Sequence, residues 1–522
     1  MNQFLCDVDI LLDAYLDRDP TCVALLRKLV EHDQELFLTA SMLSNLTQYL
    51  AQEGIDRQTF LDEFLKNIRI VSVTGKEFRE ALKHHHSEEA LTALCFKRAC
   101  PEGVIITRNP RFQNFSIPIY EPHQILQLLN ENYIENTPKS LPLLDLAKEY
   151  RYLQEEIDQA LLSTIAEARY ILGPQVSLLE KRLSEYLGVN YCVGVASGTD
   201  ALVLALRALA LLRNASEYWS DEDLIITTPF TFTATAMAIL RAGATPLFVD
   251  IDLETYNIDP LQIQQALQEY GNQVKGIIAV HLYGNPCDMD AIMQIAQQYD
   301  LFVIEDCAQS LGSKWRNRQT GSFGDLGCFS FFPTKNLGGF GDGGMVSTNS
   351  EALYQLLSML RKQGGKDKYN VSHIGYNSRL DTLQATILLT KMAYLDEFVY
   401  KRREIAAFYN YKLRGIEAIV LPKENEPYGY HSYHQYTVRV KADRNSLEDY
   451  LKANGVASMV YYPYPLNTMQ AFAERHVSFG ELKNAQIASK SVLSLPIGPL
   501  VNKSEIFRII ELFGKYFSRL QQ

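Results

Sequence analysis

Paired cysteines are missing from this 522-residue chain. The eight cysteines, at 6, 22, 95, 100, 192, 287, 307 and 328, never form C-x-x-C, which argues against a disulfide frame or a finger-type zinc site. They read as reduced thiols of a cytoplasmic protein, and no metal is expected at the main site. A basic surplus is missing too: 50 basic and 61 acidic residues leave a formal charge of −11. Residues 1–130 hold 13 basic and 18 acidic residues, or −5, so no basic half hides within the whole. Nucleic acid is therefore not an expected partner. No apolar run reaches the roughly 18–20 residues that span a bilayer. The longest, Ala201 to Leu212, is broken by Arg207 and reads as a buried helix. The opening MNQFLCDVDILLDAY carries three aspartates where a signal peptide needs apolar residues, so no membrane role is expected. Internal repeats and low-complexity tracts are absent as well.

What remains is ordinary globular material, 47% hydrophobic and 21% charged, long enough for two to four domains at about 150 residues each. Residues 1–130 alternate short apolar runs with helical-period segments such as Ala90 to Ala99, the pattern of a small α/β unit. Residues 131–140 are polar, include Pro138, and read as a linker. From 141 to about 400 a β/α alternation follows, with β-rich runs at Tyr191–Ser197, Leu224–Thr228, Pro246–Asp250, Lys275–Leu282, Phe302–Asp306, Cys328–Phe332 and Met345–Thr348. Some are unbroken apolar runs, as in strands buried on both faces, which predicts a mainly parallel sheet covered by helices. Residues 401–522, with Tyr436–Val440, read as a smaller α+β subdomain.

Four features fall at the carboxyl ends of these strands, where open α/β sheets collect ligands. Ser197-Gly198-Thr199-Asp200 opens a helix and offers free N–H groups to an anion; a plain N-cap would look the same. Glu305-Asp306 ends an apolar strand, where a carboxylate could hold a proton on a heteroaromatic nitrogen or simply cap a helix. Lys335 follows an aromatic strand and leads into the glycine-rich NLGGFGDGG. A single lysine is normally a solvated charge, but in a low-dielectric pocket its pKa falls and it can form an imine. Phe230 and Phe232 follow a strand and offer either core packing or a flat face for a planar ring. Together the four describe a site for pyridoxal 5′-phosphate.

The segments SGTDAL, PFTFTATA, EDCAQSLGS, FSFFPTKNLGGFGDGG and GYNSRLDTLQA resemble, in that order, the motifs of DegT/StrS sugar aminotransferases across about residues 141–522. The resemblance implies an α/β, type I pyridoxal phosphate-dependent transferase fold and a homodimer with sites at the subunit interface. It implies that Lys335 is the imine-forming lysine and proton shuttle, and that Asp306 pairs with the pyridine nitrogen. It further implies Gln309 on the ring hydroxyl, Phe232 stacked on the ring, and Gly198, Thr199 and Ser330 on the phosphate. Asn377 would reach the phosphate in the partner subunit, and His281 matches a position near the site. The reaction implied moves an amino group from an amino acid, usually glutamate, to a nucleotide-linked keto-sugar. Relatives that act as dehydratases carry histidine in place of the lysine. In YYPYPLN, Asn467 stands where the family usually has histidine, which bears on the acceptor and not on the cofactor chemistry.

Residues 4–13, FLCDVDILLD, and the segments around 106–110 and 117–122 resemble the opening strand and the closing part of a PIN domain over about residues 1–128. That fold clusters carboxylates around divalent metal. Here Asp7 is present and Glu88 or Glu89 falls where a second acid is expected, but Asn45 and Arg111-Phe112 stand where acids are common. Too few ligands remain for two divalent ions, which favours an interaction or scaffold domain. His84-His85-His86 cannot easily converge on one ion and read as a solvated segment. The alternative function is a PIN-type metal-dependent ribonuclease or toxin-like protein with an inactive aminotransferase region. A ligand-sensing regulator lacks a helix-turn-helix or basic patch to support it.

Overall fold

The computed structural model describes residues 140–520 apart from Lys368, and five strands within residues 1–139. Ala90–Ala99, Asp7, Asn45, His84–His86, Glu88, Glu89, Arg111 and Phe112 lie outside the described residues. The chain divides into two compact units, residues 1–139 with 502–508, and residues 140–501 with 509–522.

In the first unit the five strands form one parallel sheet. Its order is Ile68–Val71, Glu35–Thr39, Gln3–Cys6, Val104–Ile106, Ile119–Tyr120. The first strand lies in the middle, and Leu5, Leu38 and Ile105 are fully buried.

The second unit is built on an eight-stranded mixed sheet. All seven β-rich runs expected between 191 and 348 are strands, at Tyr191–Val195, Leu224–Thr227, Thr245–Phe248, Val274–Val280, Phe302–Asp306, Leu326–Ser330 and Gly344–Thr348. Phe302–Asp306 is buried at every residue and pairs in parallel with neighbours on both sides. Gly276 makes room for its first ring, because a Cβ there would overlap Phe302. One strand departs from the parallel expectation. Gly344–Thr348 runs antiparallel to both neighbours, since loop 331–343 returns beside its own strand without a crossover helix. An edge strand that the sequence did not announce, Val477–Ser478, comes from the C-terminal region and pairs with Leu247 and Phe248. Two residues carry no readable period.

Helices cover the sheet for readable reasons. Gly198–Asn214 is mostly Ala and Leu, is capped by the Ser197 hydroxyl, and is buried from Ala201 through Ala210, as expected of a helix packed on several sides. Pro174–Leu187 starts on proline, buries Val176, Leu179, Leu183 and Leu187 on one face, and stops at Gly188 with φ +69°. Beyond residue 413, Ile419–Val420, Tyr436–Val440 and Val492–Leu495 form a small antiparallel sheet. The topology gathers one edge. Asp306 and Ser330 each end a strand, and Ser330 pairs with Gly344, which in turn faces Val195 just before Ser197 and Gly198.

Candidate active site

Asp306 occupies the carboxyl end of the central strand and is 6% exposed. Its Oδ2 accepts from the Thr235 hydroxyl at 2.9 Å, and its Oδ1 accepts from the Ala308 amide at 3.2 Å. Burial raises its pKa above the usual carboxylate range, while Thr235, Ala308 and the nearby Lys335 pull it back. Lys335 sits in the loop after Leu326–Ser330. Burial lowers its pKa from 10.5 to about 8, opposed by the charge of Asp306. Lys335 is half-buried and the two charges act on one another, with the acid oriented by fixed donors and the amine partly neutral near physiological pH.

The lysine loop is held from three sides. Asn336 donates through Nδ2 to the Leu311 carbonyl and the Ser432 hydroxyl, both at 3.0 Å. Lys391, paired with Glu149 in a buried ion pair, donates to the Gly338 carbonyl at 2.6 Å. Gln384 accepts from the Phe340 amide at 2.8 Å.

At the anion end, Gly198 and Ser330 meet: a Cβ on Gly198 would stand 2.6 Å from the Ser330 Cβ. Ser197 accepts from the Asp200 amide at 3.1 Å, so a plain N-cap is present, and Thr199 lies in the first helical turn beside it. Phe232 precedes helix Thr233–Arg241, is 57% exposed, and has its ring 6.1 Å from Tyr462. Phe230 is fully buried and belongs to the core. Gln309 accepts from the Tyr283 amide at 2.6 Å and donates to the Tyr462 hydroxyl at 2.9 Å. Asn377 is exposed and bridged to Lys362; its neighbour Ser378 donates to Asp200 at 2.7 Å.

His281 is part of the scaffold. It is fully buried, its Nδ1 accepts from the Cys287 amide at 3.0 Å, and its Nε2 meets Glu305 at 3.0 Å. Glu305 also accepts from the amides of Gly321, Phe323 and Gly324. His281, Glu305 and Cys307 are close enough for a metal set. Their lone pairs are already used, and burial holds the Cys307 thiol well above its usual pKa, so no thiolate is on offer.

Three site residues escaped the sequence reading. Thr235 fixes Asp306 from helix Thr233–Arg241, Tyr462 reaches Gln309 across the sequence, and His434 lies near Lys335 with its pKa lowered by burial and then by Lys335. PFTFTATA and YYPYPLN contain the first two, but nothing in either segment tells which residue turns inward.

The sequence pattern of the DegT/DnrJ/EryC1/StrS aminotransferase family matches residues 151–513. A "Pleiotropic regulatory protein" of Geobacillus stearothermophilus is 41% identical over 72% of this chain and 99% of its own length. UDP-N-acetyl-3-dehydro-alpha-D-glucosamine 3-aminotransferase of Acidithiobacillus ferrooxidans is 42% identical over 71% of this chain and 96% of that protein. Among solved structures, DesV of S. venezuelae in complex with a ketimine intermediate superposes with a TM-score of 0.68. It is 36% identical and covers 72% of this chain and 98% of its own. With a buried acid and a softened lysine at one sheet edge and the family pattern spanning most of the second unit, the chain belongs to the DegT/DnrJ/EryC1/StrS aminotransferase family.

Proposed function

We propose that the protein is a pyridoxal phosphate-dependent aminotransferase that moves an amino group from an amino acid, with glutamate as the first choice, to a nucleotide-linked keto-sugar. The observation that carries this is Asp306, fixed by Thr235 and the Ala308 amide at the end of the central strand, with Lys335 near enough to feel its charge. The donor set fits the cofactor: an oriented carboxylate, a partly neutral amine, and Gly198, Thr199 and Ser330 at a helix start suited to a phosphate. Relatives named as UDP- and dTDP-sugar transaminases support the acceptor class.

When bound, pyridoxal phosphate supplies an electron sink next to the carbon that exchanges its amino group. Asp306 would hold the proton on the ring nitrogen, its carboxylate kept aimed by Thr235 and the Ala308 amide. Lys335 takes and returns a proton at Nζ, which its pKa of about 8 suits. Phe232 would hold the ring face, Gln309 would hold its hydroxyl with Tyr462 fixing the Gln309 amide, and Asn377 would serve the phosphate of the partner subunit in a homodimer. The type I fold and the cytoplasm complete the reading; four buried free cysteines among the described residues support the second. Among the described residues no helix is long and apolar enough to cross a membrane.

Visible absorbance of the protein with pyridoxal phosphate, before and after glutamate, tests the reading. A band that bleaches on addition, and is missing with its turnover in Lys335→Ala, is the expected result. Steady turnover by Lys335→Ala would refute the role given to this residue.

The domain limits 1–130, 131–140, 141–400 and 401–522 belong to the same proposal, with a PIN-like scaffold or interaction domain in front. A parallel sheet with its first strand central supports it, since that strand ends where such sheets bind ligands. Deleting residues 1–139 should reduce dimer stability or partner recovery while the cofactor spectrum persists; no change in either would remove the interaction role.

A further inference from the structure

We propose that Arg207 is a positioning residue for Asn377, clamping the loop that carries it onto the helix whose N-terminus forms the anion cup. The inference rests on the reading above that Asn377 serves a cofactor phosphate.

Arg207 lies mid-way along Gly198–Asn214, among alanines and leucines, and is fully buried. A leucine would fill this place without desolvating a charge, so the guanidinium is here for what it holds. Its Nη1 donates to the Tyr376 hydroxyl at 2.8 Å, and its Nη2 donates to the Ile374 carbonyl at 3.0 Å and to Glu217 at 2.8 Å. Its Nε donates to the Glu217 carbonyl, and the guanidinium carbon lies 3.8 Å from the centre of the Tyr218 ring. Glu217 extends the grip, meeting His373 Nδ1 at 3.0 Å and accepting from the Ile374 amide at 3.4 Å. The contacts thus fall on His373, Ile374 and Tyr376, all within four residues before Asn377.

The far side of Asn377 is tied to the same helix. Ser378 donates to Asp200 at 2.7 Å and accepts from the Ala196 amide at 3.2 Å. Asp200 and Arg207 are seven residues apart, two turns along one helical face. Backbone bonds from Tyr376 to Leu360, from Gln363 to Tyr376 and from Ser378 to Arg361 lock the strip against the preceding segment. Gly364 and Gly375 allow that close approach, because a Cβ on either would overlap backbone of the other arm. Asn377 stays exposed between two anchored neighbours. A single rigid helix thereby carries the cup for one phosphate and sets the reach of a side chain toward another.

The test uses full-length protein and the affinity for pyridoxamine 5′-phosphate, which cannot form an imine with Lys335. Tyr376→Phe removes one hydrogen bond and keeps the ring; losing a bond to a charged group should weaken binding by about tenfold. In an Asn377→Ala background the same change should have no further effect, because its action passes through Asn377. Glu217→Gln should behave likewise, and unfolding of the cofactor-free variants separates any general loss of stability. Additive losses, or wild-type affinity in Tyr376→Phe while Asn377→Ala binds weakly, would overturn the clamp and leave the function standing. Unchanged affinity in Asn377→Ala would overturn the role of Asn377 and the clamp with it. No binding by the wild type would overturn the aminotransferase reading itself.

Discussion

Burial disfavours the ammonium form of Lys335, and Asp306 offsets only part of that penalty. The sign of the pH effect follows. Only the neutral amine attacks a carbonyl, and its fraction grows as pH rises toward the pKa of about 8. The rate at which cofactor-free protein gains its visible band should therefore climb to about pH 8 and level off above it. A rate still rising at about pH 10, as for a solvated lysine, would show that the pocket does not depress it. Lysine, acid and glycine-rich loop were legible in the sequence because each is chemically unusual at a strand end. Thr235, Tyr462 and His434 were not, since a threonine, tyrosine or histidine has an ordinary structural use almost anywhere.

The central strand Phe302–Asp306 presents two acids with opposite duties. Asp306 faces the pocket, whereas Glu305, its neighbour in a period-two element, points to the other side and is fully buried. There it straps loop 321–324 and His281 to the sheet by four hydrogen bonds. Glu305→Ala would orphan three amides and a histidine, which should cost roughly 3–5 kcal/mol of stability. Urea unfolding of the cofactor-free variant checks this, and a loss below about 1 kcal/mol would show the strap to be dispensable. Reading EDCAQ as an acid pair found the position but not this division of labour. Alternation separates the two side chains, yet only the packed neighbours tell which face is the site.

For the whole molecule, the proposed homodimer shares its sites, with Asn377 of one subunit completing the site of the other. In that dimer Lys335→Ala should be inactive and Asn377→Ala nearly so at limiting cofactor, yet mixed and re-formed dimers should regain activity. One of their two sites then has Lys335 from one chain and Asn377 from the other. Failure of refolded mixtures to gain activity, with mixed dimers present by mass, would place Asn377 in its own subunit's site. At this scale the sequence was readable in its β/α alternation, which the seven strands between residues 191 and 348 bear out. The antiparallel course of Gly344–Thr348 and the return of Val477–Ser478 to the large sheet were not.

Local chemistry determined much of this protein: apolar runs of strand length, a serine cap before an alanine–leucine helix, a lysine beside glycines, and no paired cysteines. These follow from side-chain type and near-neighbour spacing, which a chain carries whether folded or not. Tertiary structure alone decided that Arg207, which reads as an interruption in an apolar helix, holds a loop some 170 residues away in sequence (Tyr376 and Ile374 lie 169 and 167 residues on). It also decided that Thr235 aims Asp306 and that Tyr462 meets Gln309. Such contacts exist only once the sheet has stacked its carboxyl ends along one edge, and no periodicity along the chain encodes a meeting across it.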